Sequence, residues 1–314
     1  MTQDRPTLGI ALMLGFCIMA PLGDAIAKIL ADSVALGQLL LVRFGIQAIV
    51  LIPIIALTGR LWRMSGRVFG LTLLRTVMHI LGIGMMISAL SYLPLADAIA
   101  IAFVMPFIML LLGHYVLGEE VGSRRLIACS IGFFGTLLVV QPSFQAVGWP
   151  ALLPLGVALN FALFMLVTRK IAKETDPIGL QAVSGVMAVA LLAPGMLLIP
   201  DTAVPLTTWD TALTEGTWIL LVTLGLFGTL AHLLMTWSLR YAPSATVAPM
   251  QYLEIPIATI IGFAIFGDLP NSMATVGIAI TIGSGLYIVF REQAISRQLA
   301  TEPVAAPAVG TPAQ

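Results

Sequence analysis

From Leu90 the chain reads LSYLPLADAIAIAFVMPFIMLLLGHYVLGEEV, and from Leu239 it reads LRYAPSATVAPMQYLEIPIATIIGFAIFGDLP. One spacing relates the two. Tyr92 falls on Tyr241, Pro94 on Pro243, Ala96 on Ala245, and Gly118-Glu119 on Gly267-Asp268. Pro106 and Pro256 match after a shift of one residue. The match is carried by Tyr, Pro and glycine–acid turns, whereas a chance likeness between apolar runs would rest on Leu and Val. The chain is therefore a repeat.

Composition says what surrounds the repeat. Of the 314 residues, 59% are hydrophobic and 10% are charged, against about 25% charged in soluble domains. Such a chain cannot cover a core with a polar shell, so the solvent around it is lipid. Lipid leaves helices or closed barrels as the only spanning structures. The long unbroken apolar runs decide for helices. Ten spans follow: Leu8–Leu30, Gly37–Leu57, Val68–Leu90, Leu95–Leu117, Leu126–Gln141, Trp149–Val167, Ile178–Ile199, Trp218–Leu239, Ala245–Phe266 and Ala274–Phe290. The first is too long for the ~7–15 apolar residues of a cleavable signal, and it holds Asp24 and Lys28.

The fold class expected is an all-α polytopic membrane protein, with spans one to five (residues 8–141) and six to ten (149–290) as two halves and a disordered tail at 291–314. Loop charges orient it. With the N-terminus in the cytoplasm, Arg5, Arg60, Arg63, Arg67, Arg124, Arg125, Arg169, Lys170, Lys173, Arg240, Arg291 and Arg297 all fall inside. The outer loops receive acids only, among them Asp32, Asp201, Asp210, Glu215 and Asp268. Both termini are then cytoplasmic. Five spans separate the two copies, an odd number, so the second copy is inverted. Inverted halves let one chain expose a midplane site to either side in turn.

Net charge is zero, which removes any global basic field for nucleic acid. No zinc spacing, phosphate-cradling loop or nucleophile elbow is present, so neither cofactor nor metal is expected. Cys17 and Cys129 lie within apolar runs and read as inert thiols.

The Pro106…Gly118-Glu119 and Pro256…Gly267-Asp268 patterns resemble the two EamA domains of the drug/metabolite transporter superfamily. The Ala89–Pro94 run ALSYLP and Arg43-Phe44 in the second span fit as well. The resemblance covers Leu8 to Phe290. It implies a five-plus-five inverted bundle, a central cavity, alternating access and a bacterial cytoplasmic membrane. Asp268 stands where a Glu is commoner. Within the superfamily, the run LADAIAIAFVMPF from Leu95 is most similar to riboflavin uptake proteins. Relatives that export amino acids or carry S-adenosylmethionine are the alternatives of the same fold. A membrane-embedded enzyme is the alternative of another class, but no His/Asp or Ser/His cluster marks one.

Six fully charged residues lie inside the spans: Asp24, Lys28, Arg43, Arg75, Asp97 and Glu254. Each costs at least ~2.5–3.5 kcal/mol at the bilayer centre, so each should face the bundle interior, water or a partner. Asp24, Lys28, Arg43 and Asp97 fall in outer halves and are expected to form an outer polar cluster, as a gate or a brace. Glu254 falls near mid-depth beside Gln251, Tyr252 and Pro256. A polar, proline-broken segment at that depth is where carrier sites are built. Glu254 is therefore the leading candidate for substrate binding and proton coupling, and the bland alternative is an ion pair with Arg75 or Arg43. His79, Asn160 and His232, also mid-span, complete the candidate site for a small polar molecule.

Overall fold

Two of the apolar stretches fail to form continuous helices, and they are the two repeat copies. The computed structural model describes residues 5–117, 123–198, 208–210 and 212–301. In the first copy α4 (Leu95–Ala102) stops, and α5 (Met105–Leu117) starts after Phe103 and Val104. Pro106 accounts for the break: it has no N–H to donate, and its ring clashes with the carbonyl four residues earlier, Ala102. In the second copy α10 (Ser244–Val247) passes into a 3-10 turn (Ala248–Leu253) and then α11 (Glu254–Phe266). Pro256 acts there in the same way, against the carbonyl of Tyr252. Gly267, at φ 71°, ends α11 in a left-handed turn that favours glycine. Its counterpart, Gly118-Glu119, lies outside the described residues.

The remaining helices are α1 (Pro6–Ala31), α2 (Leu36–Thr58), α3 (Gly66–Leu90), α6 (Ser123–Val147), α7 (Leu153–Ile171), α8 (Pro177–Leu198), α9 (Glu215–Tyr241) and α12 (Ser272–Thr301). Among the described residues, eight segments are long and apolar enough to cross a membrane. Shorter apolar helices cover Met250–Phe266 and Ser272–Tyr287. The protein is thus an all-helical polytopic membrane protein. Side chains begin several helices: Ser65 accepts from the Val68 N–H ahead of α3, and Thr214 from the Thr217 N–H ahead of α9.

Two helix ends differ from expectation. α6 runs through Pro142, past the expected end at Gln141; membrane helices tolerate an internal proline. α12 continues to Thr301, so the tail expected to be disordered from Arg291 is helical that far. Residues 291–301 hold no Gly or Pro to stop a helix. Residues 302–314 lie outside the described residues.

Helix contacts come in exchangeable pairs. α1 packs on α9 and α3 on α7; α2 packs on α9 and α3 on α8; α1 packs on α11 and α5 on α7. α2 meets α8, and α6 meets α12. At one end of the bundle Arg60 pairs with Asp176 at 3.0 Å and Arg67 with Glu174 at 3.3 Å. Arg169 donates to the Leu239 carbonyl at 2.5 Å, and Arg240 to the Thr175 carbonyl. At the other end Lys28 pairs with Asp268 at 3.2 Å.

The α6–α12 seam is built from small residues. A Cβ on Gly277 would fall 2.4 Å from the Gly135 carbonyl oxygen. Only glycine permits this approach, which is how membrane helices gain packing where lipid supplies no hydrophobic drive. Thr281 donates to the Gly132 carbonyl at 3.3 Å and Ser284 to the Ala128 carbonyl at 2.5 Å, tying the seam together.

Candidate functional site

The helices of both copies line one cavity, with about 980 Å³ of empty space when the open solvent at its mouth is included. Its walls carry Phe16 and Asp24 from α1, Arg43 from α2, His79 from α3, Asn160 and Phe161 from α7, His232 from α9 and Glu254 from α11. Phe103, at the break between α4 and α5, joins them. The two interrupted segments therefore meet at this space. A broken helix ends in unpaired backbone groups, and a cavity is where these are tolerated.

His79 and His232 face each other across α3 and α9, with their Nε2 atoms 3.0 Å apart. One ring must donate and the other accept at that contact. Both Nδ1 atoms are buried without a hydrogen-bond partner. Aromatic rings pack around the pair: Phe44 at 5.0 Å and Phe164 at 4.9 Å from His79, and Phe16 at 6.0 Å and Phe161 at 6.3 Å from His232. Phe16 and Phe161 lie nearly parallel, 14° apart. Apolar ring faces with polar edges between them suit a flat heteroaromatic group.

Arg43 lies against α9. A Cβ on Gly228 would come 2.7 Å from its Nε, so glycine there makes room for the guanidinium. Its Nη1 has no partner. Asp24 faces the same space, and no ion pair forms between them within 4.0 Å. Asn160 donates from Nδ2 to the Met78 carbonyl at 2.7 Å and rests over Gly82, linking α7 to α3. Glu254 is the first residue of α11. Its Oε1 is buried without a partner, close to Cys17, whose thiol donates to the Met250 carbonyl at 3.4 Å. The N-terminal end of a helix favours a carboxylate.

Six of the residues singled out in the sequence thus converge on one space: Asp24, Arg43, His79, Asn160, His232 and Glu254. Gln251 and Tyr252 do not line it. Gln251 is fully buried and donates to the Met165 sulfur at 3.5 Å. Tyr252 is buried against Phe103, ring centroids 5.5 Å apart, and fills the groove that Gly285 leaves on α12. At the spacing that carries Tyr92 to Tyr241, Phe103 falls on Tyr252, so equivalent positions of the two copies touch.

The single outer cluster expected of Asp24, Lys28, Arg43 and Asp97 divides. Asp24 and Arg43 turn to the cavity. Lys28, a turn further along α1, pairs with Asp268, donates to the Leu93 carbonyl at 3.1 Å and lies 4.8 Å from the Phe266 ring centroid. Asp97 accepts from Ser143 Oγ at 3.3 Å. The alternative pairing of Glu254 with Arg75 or Arg43 does not form within 4.0 Å. Sequence reasoning missed Phe16, Phe161, Gly82 and Gly228. The available signal was glycine in mid-helix opposite a polar residue, where a side chain must lie against backbone.

Residues 7–141 and 148–290 each match the family described as the EamA-like transporter family. A protein named riboflavin transporter from Rhizobium johnstonii is 30% identical over 72% of this chain and 72% of its own. One of the same name from Vibrio cholerae is 26% identical over 82% of this chain and 84% of its own. A protein named S-adenosylmethionine uptake transporter from Rickettsia bellii is 24% identical, covering 93% and 97%. One protein of known crystal structure superposes with a TM-score of 0.65 at 17% identity, over 94% of this chain and 98% of that one, and so shares the fold.

Proposed function

Because the chain belongs to the EamA-like transporter family, we propose that this metabolite carrier imports riboflavin by alternating access, with residues 8–141 and 149–290 as inverted halves and both termini in the cytoplasm. The observation that carries the reading is the cavity: both interrupted segments meet there, and flat aromatic walls sit beside His79, His232, Asn160 and Arg43. Exchangeable helix contacts support inverted halves. The one-sided loop arginines support the orientation. In this reading Phe16 and Phe161 hold the ring system, Asn160 and the histidines take its polar edges, and Glu254 couples transport to a proton. The chain acts as a carrier and not as a membrane-embedded enzyme, in keeping with the transporters it resembles.

S-adenosylmethionine uptake is the second reading. Asp24 and Glu254 set two carboxyls against the single guanidinium of Arg43 in the cavity, an excess that suits a sulfonium cation. The test is uptake of labelled riboflavin and labelled S-adenosylmethionine by a riboflavin auxotroph expressing the chain. Growth at riboflavin concentrations that do not sustain the vector control, with saturable uptake, is the expected result. Uptake of S-adenosylmethionine alone would replace the first reading by the second.

A further inference from the structure

Arg75 belongs to no site described above. It is fully buried, on α3 one turn before His79, between the histidine pair and the arginine-rich end of the bundle. Residues 75, 79, 82 and 86 share one face of α3, and the last three line the cavity. Arg75 thus continues the cavity wall beyond its floor. Its Nε donates to Thr168 Oγ1 at 2.8 Å and its Nη1 to Ser184 Oγ at 2.9 Å. The guanidinium carbon lies 4.5 Å from the Phe164 ring centroid. Nη2 has no partner, and among the described residues no carboxylate lies within 4.0 Å.

The guanidinium keeps its charge in proteins. Burying it with only hydroxyl and π partners leaves the charge without a countercharge, which is costly. A bracing role would be met by a residue without charge. The surroundings are equally polar: Thr72, Thr76, Gln181 and Thr236 are all fully buried in the same half of the bundle. Thr72 and Thr76 donate to carbonyls one turn back on α3, and Gln181 donates to the His232 carbonyl and to Thr236 Oγ1, so α3, α8 and α9 all bury polar groups here.

We propose that Arg75, with Thr168 and Ser184, forms an oxyanion site that is exposed when the arginine-rich end of the bundle opens, and that it takes a phosphate or carboxylate, free or carried on a metabolite. The planar guanidinium fork presents parallel N–H donors at the spacing of such oxygens. The Ser184 hydroxyl beside it can turn to donate as well, while Thr168 Oγ1, whose hydrogen goes to the Phe164 carbonyl at 2.7 Å, holds the guanidinium in place. An arriving anion would supply the countercharge that the closed state lacks. The inference rests on the alternating-access reading, because only opening at that end gives the site a path to water.

The test uses Ser184→Cys in the full chain, in inside-out membrane vesicles, with alkylation at position 184 read by peptide mass spectrometry. Inorganic phosphate and riboflavin 5′-phosphate are the probes; riboflavin and chloride at matched ionic strength are the controls. Alkylation should proceed in chloride and slow roughly tenfold at about ten times the Kd of a protecting anion. Arg75→Gln should keep the alkylation and lose the protection. Protection by both probes assigns the site to the free anion, and protection by the ester alone assigns it to a group carried on a metabolite. Alkylation that no anion slows, or that slows equally in Arg75→Gln, overturns the site and leaves alternating access standing. No alkylation at all overturns opening at this end, and the site with it. If the variants fail to fold, thermal unfolding of the parental protein decides: phosphate should raise the midpoint above matched chloride, and equal midpoints refute the site.

Discussion

The α6–α12 seam and the central cavity are both drawn from apolar, glycine-containing helices, yet they spend their polar groups in opposite ways. In the seam, Thr136, Thr281 and Ser284 each bond to a carbonyl on their own helix or its partner, and the glycines bring backbone against backbone. In the cavity, Arg43 Nη1, Glu254 Oε1 and both histidine Nδ1 atoms are buried without partners. Native proteins pair nearly all buried polar atoms, so exceptions call for a reason. A seam whose groups are all paired holds a fold together. A cavity with unspent donors and acceptors is ready for a ligand.

Enlarging a glycine in each region breaks the comparison most sharply. In Gly277→Val the new Cβ would lie 2.4 Å from the Gly135 carbonyl oxygen, a backbone atom that cannot turn aside. Overpacking costs about 1–3 kcal/mol when side chains can adjust, and here the helices must part. We expect no monodisperse protein on size-exclusion chromatography, and hence no transport. Gly228→Ala also intrudes to 2.7 Å, but on the guanidinium of Arg43, the far end of a flexible side chain. That variant should fold at parental yield and lose transport as Arg43 is displaced. If Gly277→Val folds and Gly228→Ala does not, the division into structural seam and functional cavity is wrong.

Glu254→Gln comes next in size. It keeps the volume and removes the titratable proton at the head of α11. Losing a hydrogen bond to a charged group costs ~1.5–3 kcal/mol, roughly a ten- to hundredfold fall in substrate accumulation. Proteoliposome assays separate the roles. Retained exchange with lost accumulation under a pH gradient identifies a proton carrier. A parallel fall in both identifies a substrate ligand. Parental transport across the pH range would make Glu254 structural, like the Thr and Ser of the seam.

The sequence reached the fold because its signals are local. Unbroken apolar runs and the Tyr–Pro–glycine repeat need no knowledge of packing. It also reached six cavity residues, because a polar side chain at mid-span has few places to go. It did not reach the division of the outer cluster. Asp24 and Lys28 lie four apart on one helix, and only the approach of Asp268 from the other copy draws Lys28 away from the cavity. Tyr252 misled for a related reason. Its place beside Glu254 in sequence suggested the site, while the 3-10 turn and the bare surface of Gly285 direct its ring into α12. Arg75 was seen as a charge, but its neighbours Thr168 and Ser184 come from helices far along the chain.

Lys28 and Asp268 carry the smallest expected effect, and they sharpen the comparison from a third side. The pair joins α1 of the first copy to the turn that ends α11 of the second, so it resembles the seam in linking the two halves. Unlike the seam, it is partly exposed: the side chains are 19% and 35% accessible. Solvent screening and the entropy of a long lysine limit exposed pairs to about 0.2–1 kcal/mol. Lys28→Met and Asp268→Asn should therefore each lower the thermal midpoint slightly. In the double-mutant cycle the coupling should stay below about 1 kcal/mol and shrink as salt rises. Transport should stay within about threefold of parental, since 1 kcal/mol corresponds to roughly a fivefold ceiling even if all of it biased opening. A larger, salt-insensitive coupling would mean that water does not reach the pair while transport runs, and Lys28 would then rejoin Asp24 and Arg43 as part of the cavity machinery.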